Sequence, residues 1–166
     1  MPTVPNSWRR FARSPVIKFP SHMPKVHISS GAIVYTREQG KFSVLVMHRQ
    51  KTDSWHLPKG TQEPGEDLPA TARREVREET GLEIALGPYL GKLHSVIHRD
   101  GQVIPKETHY FLAQPIGGNL IDHDREHDTV AFVAYDQAQR HLERFSLHER
   151  EGEILKMAFD KLPVEE

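Results

Sequence analysis

The segment from Asp67 to Gly81 constrains the fold more than any other part of the chain. Asp67 can cap a first turn, Pro69 falls where a missing N–H does no harm, and Gly81 can take the left-handed stop. Good helix formers lie between them, so the spacing predicts a helix from Leu68 to about Thr80. Glu75, Glu78 and Glu79 stand at i, i+3 and i+4, within an arc of about 100° on one flank. Like charges at that spacing oppose each other by a few tenths of a kcal/mol per pair. The last two also meet the negative end of the helix dipole. Arg73, Arg74 and Arg77 offset part of this. Hard divalent cations offset more, because Mg²⁺ takes carboxylate oxygens together with substrate phosphates. On the glutamates alone, a solvated helix face is the commoner explanation.

The rest of the chain reads mainly as strands. Val26–Thr36 is rich in β-branched residues and Phe42–His48 is a second apolar run; with Glu38-Gln39-Gly40 between them, a hairpin is expected. Trp55-His56-Leu57-Pro58-Lys59-Gly60, followed by Pro64-Gly65, is expected as a loop leading into the helix. Tyr89–His98 and Val103–Ala113 flank Asp100-Gly101, a second hairpin signal, and Pro105 marks an edge or bulge. A polar connection, Leu120–Asp128, leads to a short strand Val130–Tyr135 and a helix opened by Asp136. A last helix is expected from Ser146, with Glu149 completing a capping box, to about Leu162. Ile154, Leu155, Ala158, Phe159 and Leu162 form its apolar face. Strands outnumber helices, which points to an α+β domain whose few helices cover a sheet.

Composition narrows the function classes. With 166 residues, 37% apolar and 27% charged, the chain suits one globular domain. No apolar run approaches the roughly 18 residues of a membrane span, so no membrane partner is expected. Cysteine is absent, which excludes disulfides, zinc–thiolate sites and cysteine nucleophiles and fits a cytoplasmic setting. His94 and His98, like His123 and His127, are four apart, but neither pair carries the glutamate of H-E-x-x-H, so zinc is not expected. The net charge of −1 conceals an asymmetry: residues 1–25 hold Arg9, Arg10, Arg13, Lys18 and Lys25, five prolines and no acid. This segment is expected as a basic, Pro-rich arm ahead of a body at 26–163. The simplest expectation for such an arm is a loosely ordered tail; it can also touch RNA or carry an organelle address.

From Gly60 the sequence runs Gly60, five residues, Glu66, seven residues, Arg74-Glu75-Val76, one residue, Glu78-Glu79, one residue, Gly81-Leu82. A chance match to seven fixed and two aliphatic positions is on the order of 10⁻⁹ per starting point. The segment resembles, without departure, the box of the Nudix hydrolase family. That resemblance implies the Nudix fold over 26–163, a mixed β-sheet between helices in an α/β/α sandwich. It implies Mg²⁺, with Mn²⁺ as a substitute, and a small-molecule substrate that is a nucleoside diphosphate linked to another group. It also implies that Glu75, Glu78 and Glu79 are catalytic and bind metal together with the carbonyl of Gly60, while Glu66 and Arg74 orient them. Relatives often add an acid from a later loop; Glu126 is the first choice here, with Asp122, Asp124 and Asp128 as competitors.

The approach from Trp55 to Gly60 resembles the W-x-x-P-K-G of asymmetric diadenosine tetraphosphate hydrolases and some nucleoside-triphosphate relatives, in which Lys59 would contact phosphate. The run Lys106-Glu107-Thr108-His109-Tyr110-Phe111-Leu112 is similar to that subgroup's lysine-then-Tyr-Phe-Leu strand, where a lysine neutralises polyphosphate and an aromatic stacks a base. Trp55, Lys59, Lys106, His109 and Tyr110 are thus the candidate substrate contacts, and His48 lies within reach. Each has an ordinary alternative, as a core aromatic, a structural histidine or a surface charge. The resemblance favours hydrolysis of a dinucleoside polyphosphate or nucleoside triphosphate. Removal of pyrophosphate from an RNA 5′ end, helped by the basic arm, is an alternative reading. A sensor that binds nucleotide without turnover is a third, disfavoured because a sensor has no need of all three glutamates.

Overall fold

The computed structural model describes residues 25–145 and 150–162, so nearly all of the basic arm and the Ser146–Glu149 capping box lie outside the described residues. In chain order the elements are β1 (His27–Glu38), β2 (Lys41–Arg49), β3 (Ser54–His56), β4 (Lys59–Thr61), α1 (Leu68–Thr80), β5 (Leu82–Arg99), β6 (Gln102–Gly118), β7 (Thr129–Ala134), α2 (Tyr135–Phe145) and α3 (Glu151–Phe159).

Local chemistry sets the boundaries of α1 as expected. Asp67 accepts a hydrogen bond from the Ala70 N–H at 2.8 Å, and Gly81 ends the helix at φ 76°. The two hairpin turns need two consecutive left-handed residues, which Gln39-Gly40 (φ 49° and 74°) and Asp100-Gly101 (52° and 73°) supply.

The sheet order is β3-β2-β1-β6-β5, with β4 also pairing β1 and β7 also pairing β2. The β1–β6 pairing is parallel and the others are antiparallel, so the sheet is mixed. Side-chain alternation along β1 builds a core on each face. Ala32 and Val34 pack with Leu45, Val76 of α1, Leu82, Ile84 and Ala113. Ile33 and Tyr35 face the other way, toward Ala138 and Leu142 of α2 and Ile154, Leu155 and Ala158 of α3. The sheet is thus sandwiched between α1 and the α2–α3 pair, an α/β/α arrangement.

Three features depart from the sequence expectations. The segment before α1 is not all loop, because β4 pairs with β1 through Gly31 opposite Lys59 and Ser30 opposite Gly60. The strand β5 begins at Leu82 rather than Tyr89 and is carried past Gly87-Pro88 by register shifts between Glu83 and Ile84, Leu86 and Tyr89, and Tyr89 and Gly91. Of the edge or bulge expected at Pro105, the structure has the edge: Pro105 sits in unbroken register with Val96, and β1 covers β6 only from Lys106 onward. Beyond that point β5 and β6 continue as a two-stranded ribbon with Val96 and Val103 exposed. Finally, α3 ends at Phe159, whose ring is partly exposed but 4.4 Å from that of Tyr135. Among the described residues no helix is long and apolar enough to cross a membrane.

Candidate active site

The strand β4 and the C-terminal half of α1 face each other closely. A Cβ built on Gly60 would overlap the Glu75 carboxylate, so only glycine leaves that carboxylate room against the strand backbone. One residue earlier, the Lys59 N–H donates to Glu79 Oε2 at 2.9 Å. The pairing of β4 with β1 and the packing of α1 on β1 therefore bring the two inner box glutamates onto one short stretch of backbone.

Arg74 organises the outer side. Its Nε and Nη2 donate to the two oxygens of Glu66 at 2.6 and 3.0 Å, and Nη1 reaches Glu75 at 2.9 Å and Glu78 at 3.2 Å. Nη2 also donates to the Thr61 carbonyl at 2.9 Å, tying α1 to the end of β4. Glu66 further accepts from the Thr71 hydroxyl and the Glu63 N–H. The hydrogen bonds from Arg74 hold the Glu66 carboxyl down at about 2. Glu78 is 59% exposed, free to turn toward a ligand in solvent.

On the far side of Glu79 the loop after β6 contributes Asp124 and His127, and ligand atoms of these three residues lie within 4.8 Å of one another. His127 is buried, and its Nδ1 lies 2.9 Å from Asp124 Oδ1, which also accepts the His127 main-chain N–H. The imidazole thereby fixes the carboxylate's orientation, the role that partners behind a metal ligand commonly play. Burial first, and then the nearby Glu75 and Asp124 carboxylates, push Glu79 up to about 8, against the lowering influence of Lys59. Burial also raises Glu75.

The donor set suits a hard divalent ion: ligand atoms of Glu79, Asp124 and His127 lie within 4.8 Å of one another, and the Glu75 carboxylate lies against the Gly60 backbone. The structure thus brings Asp124, rather than Glu126, to the box. Glu126 is 74% exposed and pairs with Arg49 at 3.1 Å, because the loop turns its side chain outward. Asp128 accepts from the Gln50 N–H at 2.6 Å, and Asp122 stays exposed in a short 3-10 turn. A cleft of about 700 Å³ beside this loop is lined by Arg49, Gln50, Lys51, Arg125, Glu126 and Asp128.

The candidate substrate contacts scatter. Tyr110 is fully buried in the α3-side core with its hydroxyl bonded to Glu151, so its ring has no face for a base. His109, one residue away, points to the opposite side of the sheet, where its Nδ1 meets the Tyr89 hydroxyl at 2.9 Å. The Lys59 ammonium donates to Glu151 Oε1 at 2.7 Å. Trp55 is half-buried and stacks on His141 of α2 at 4.0 Å, with His48 at 4.7 Å on a tilt. Lys106 sits where β6 leaves β1, opposite His27. Glu151 itself escapes sequence reasoning, although a signal existed: it stands at i to Ile154, Leu155 and Ala158 at i+3, i+4 and i+7, on the same buried stripe.

Residues 25–156 match the family described as NUDIX domain. The chain is 32% identical over 168 residues to a putative mutator protein MutT4 of Mycobacterium tuberculosis, covering 97% of this chain and 67% of that protein. It is 36% identical over 100 residues to an 8-oxo-(d)GTP phosphatase of Mycolicibacterium smegmatis, covering 60% of this chain and only 30% of that one. Among solved structures, the binary complex of a C. elegans Ap4A hydrolase superposes with a TM-score of 0.63 at 23% identity, over 82% of this chain and 98% of the other.

Proposed function

This chain belongs to the NUDIX domain family, and on that premise we propose that it is a divalent-metal-dependent hydrolase cleaving a phosphoanhydride bond in a nucleoside triphosphate or dinucleoside polyphosphate. The observation that carries the reading is the gathering of Glu75 against the Gly60 backbone, Glu79 on the Lys59 N–H and Asp124 beside Glu79.

Glu75, Glu78, Glu79 and Asp124 would hold Mg²⁺ or Mn²⁺. Such an ion, when bound, neutralises phosphate charge and lowers the pKa of a water. The protein's own contribution is placement. Arg74, clamped by Glu66, positions Glu75, His127 orients Asp124, and a carboxylate of the group takes the proton of the attacking water. The cleft beside the loop presents Arg49, Lys51 and Arg125, cations suited to the outer phosphates of a polyphosphate chain. The substrate class is supported by two relatives, one described as an 8-oxo-(d)GTP phosphatase and the other as an Ap4A hydrolase.

The test is a panel of diadenosine polyphosphates, nucleoside triphosphates including 8-oxo-dGTP, nucleotide sugars and triphosphorylated or capped RNA, run with Mg²⁺ in ¹⁸O-labelled water. Labelled product from a nucleotide, abolished in Glu79→Gln with a loss of about 10²–10⁴ in kcat, is the expected result. Wild-type turnover in that variant at saturating Mg²⁺ would refute the placement of the metals. Turnover confined to RNA would refute the substrate class.

A further inference from the structure

Glu151 is an ionisable residue with 0% exposure, on a helix whose other inward side chains are apolar. A carboxylate survives such a place only when donors surround it. Oε1 accepts from Lys59 Nζ at 2.7 Å and from the Tyr110 hydroxyl at 2.9 Å, Oε2 accepts from the Leu57 N–H at 3.2 Å, and His56 Nδ1 lies 3.8 Å away. Three of these four groups belong to residues 56–59, the stretch that delivers Gly60 to Glu75. The residue immediately before it, Arg150, adopts φ 53°, a left-handed conformation that a non-glycine side chain takes seldom and only when its surroundings impose it.

Lys59 is consequently held from both faces of the sheet. Glu79, on α1, takes its main-chain N–H, and Glu151, on α3, takes its ammonium. A lysine side chain only 11% exposed and engaged with a buried carboxylate is poorly placed to reach a phosphate. We propose that Glu151 and Lys59 form a strut: positioning residues, not ligands, that fix residues 57–60 so that the Lys59 N–H and the Gly60 backbone hold Glu79 and Glu75 in the metal-binding arrangement. This rests on Glu75 and Glu79 being metal ligands, as proposed above, and it moves Lys59 from phosphate contact to scaffold.

Three variants of the full chain test it. Glu151→Gln keeps the shape and removes the charge, and Lys59→Met keeps the stem and removes the ammonium. The double variant leaves no buried ion alone, so it remains available for measurement if a single variant fails to fold. Exchange of the Lys59 amide is followed by NMR in metal-free protein, Mn²⁺ affinity by EPR without nucleotide, and kcat and KM with a nucleoside triphosphate. In the double variant and in each single that folds, the Lys59 amide is expected to exchange at least about ten-fold faster. Mn²⁺ binding is expected to weaken by about 10–100-fold. The kcat should fall while KM moves less than about three-fold. A large rise in KM with Mn²⁺ affinity and amide protection unchanged overturns the strut and returns Lys59 to the phosphates. Wild-type protein that takes up no Mn²⁺ would instead sink the metal reading, and the amide exchange would still decide the strut.

Discussion

The backbone of Gly60 lies directly against the carboxylate of Glu75, so closely that any Cβ at position 60 would occupy the carboxylate's place. The obstructing atoms are the far end of a flexible side chain. Gly60→Ala should therefore fold with nearly unchanged melting temperature, because Glu75 can swing aside. It should lose activity and metal affinity by about 10–100-fold, as when the geometry around a metal ligand is disturbed. Thermal melting and Mn²⁺ titration check the two halves separately; a variant that unfolds, or that binds Mn²⁺ normally, contradicts this account.

Gly31 makes the contrast. A Cβ there would overlap the Pro58 carbonyl and the backbone of Lys59, across the pairing of β1 with β4, and the Ala32 N–H donates to that same carbonyl at 3.2 Å. Backbone cannot swing away. Gly31→Ala is expected to cost about 1–3 kcal/mol, in the range of overpacked sites, with the activity loss following the loss of folded protein. Denaturant unfolding measures it, and a midpoint equal to wild type would show that β4 yields more easily than its pairing suggests.

Arg74 donates to both oxygens of Glu66 and also reaches Glu75, Glu78 and the Thr61 carbonyl. Lysine carries the same charge but has no planar fork. Arg74→Lys should lower kcat by at least about ten-fold. Steady-state kinetics at saturating Mg²⁺ decide it: a wild-type rate would mean that positive charge alone suffices there.

The acid–base behaviour of metal-free protein follows from the same glutamates. Burial raises Glu79 from 4.5 to about 8, and raises Glu75 as well. A carboxyl that holds its proton more tightly folded than unfolded contributes stability at low pH, and that contribution drains away as pH climbs from 4.5 toward 8. Glu66 has the opposite sign: its contribution is complete above 4.5 and is lost only as acid approaches pH 2. In EDTA the melting temperature is thus expected to fall from about pH 5 to about pH 9, while added Mg²⁺ stabilises more at the alkaline end, where it no longer competes with a proton. A metal-free melting temperature that rises across that window would contradict the burial of Glu79.

How much of this was legible in the sequence depended on whether the deciding interaction was local. The cap at Asp67, the stop at Gly81 and both two-residue turns are written within a few residues of themselves, and all appear where expected. The start of β5 was hidden because its register shifts break the alternation that identifies a strand. In the run Asp122-His123-Asp124-Arg125-Glu126-His127-Asp128, nothing local says which acid turns inward; the choice of Asp124 is made by the loop's closure on α1, where the Asp124 N–H meets the Glu79 carbonyl at 3.4 Å. Glu151 was the hardest case. Its partners lie 41 to 94 residues away, and a charge on an apolar stripe is ordinarily evidence for a helix end in solvent. Tyr110 shows the reverse error: strand periodicity places it with Leu112 on the core face, and that overrode its suitability for stacking a base.

The two-sided packing of β1 makes it the ruler of the molecule. Ala32 and Val34 serve one layer, Ile33 and Tyr35 the other, and the same strand sets the heights of β4 and β6. Sliding it by a single residue would exchange the two interiors and carry Gly60 away from Glu75 in one step. Length changes are therefore intolerable there, whereas the outlying tip at Asp100-Gly101, which among the described residues pairs only with itself, can be shortened or extended without disturbing the chemistry.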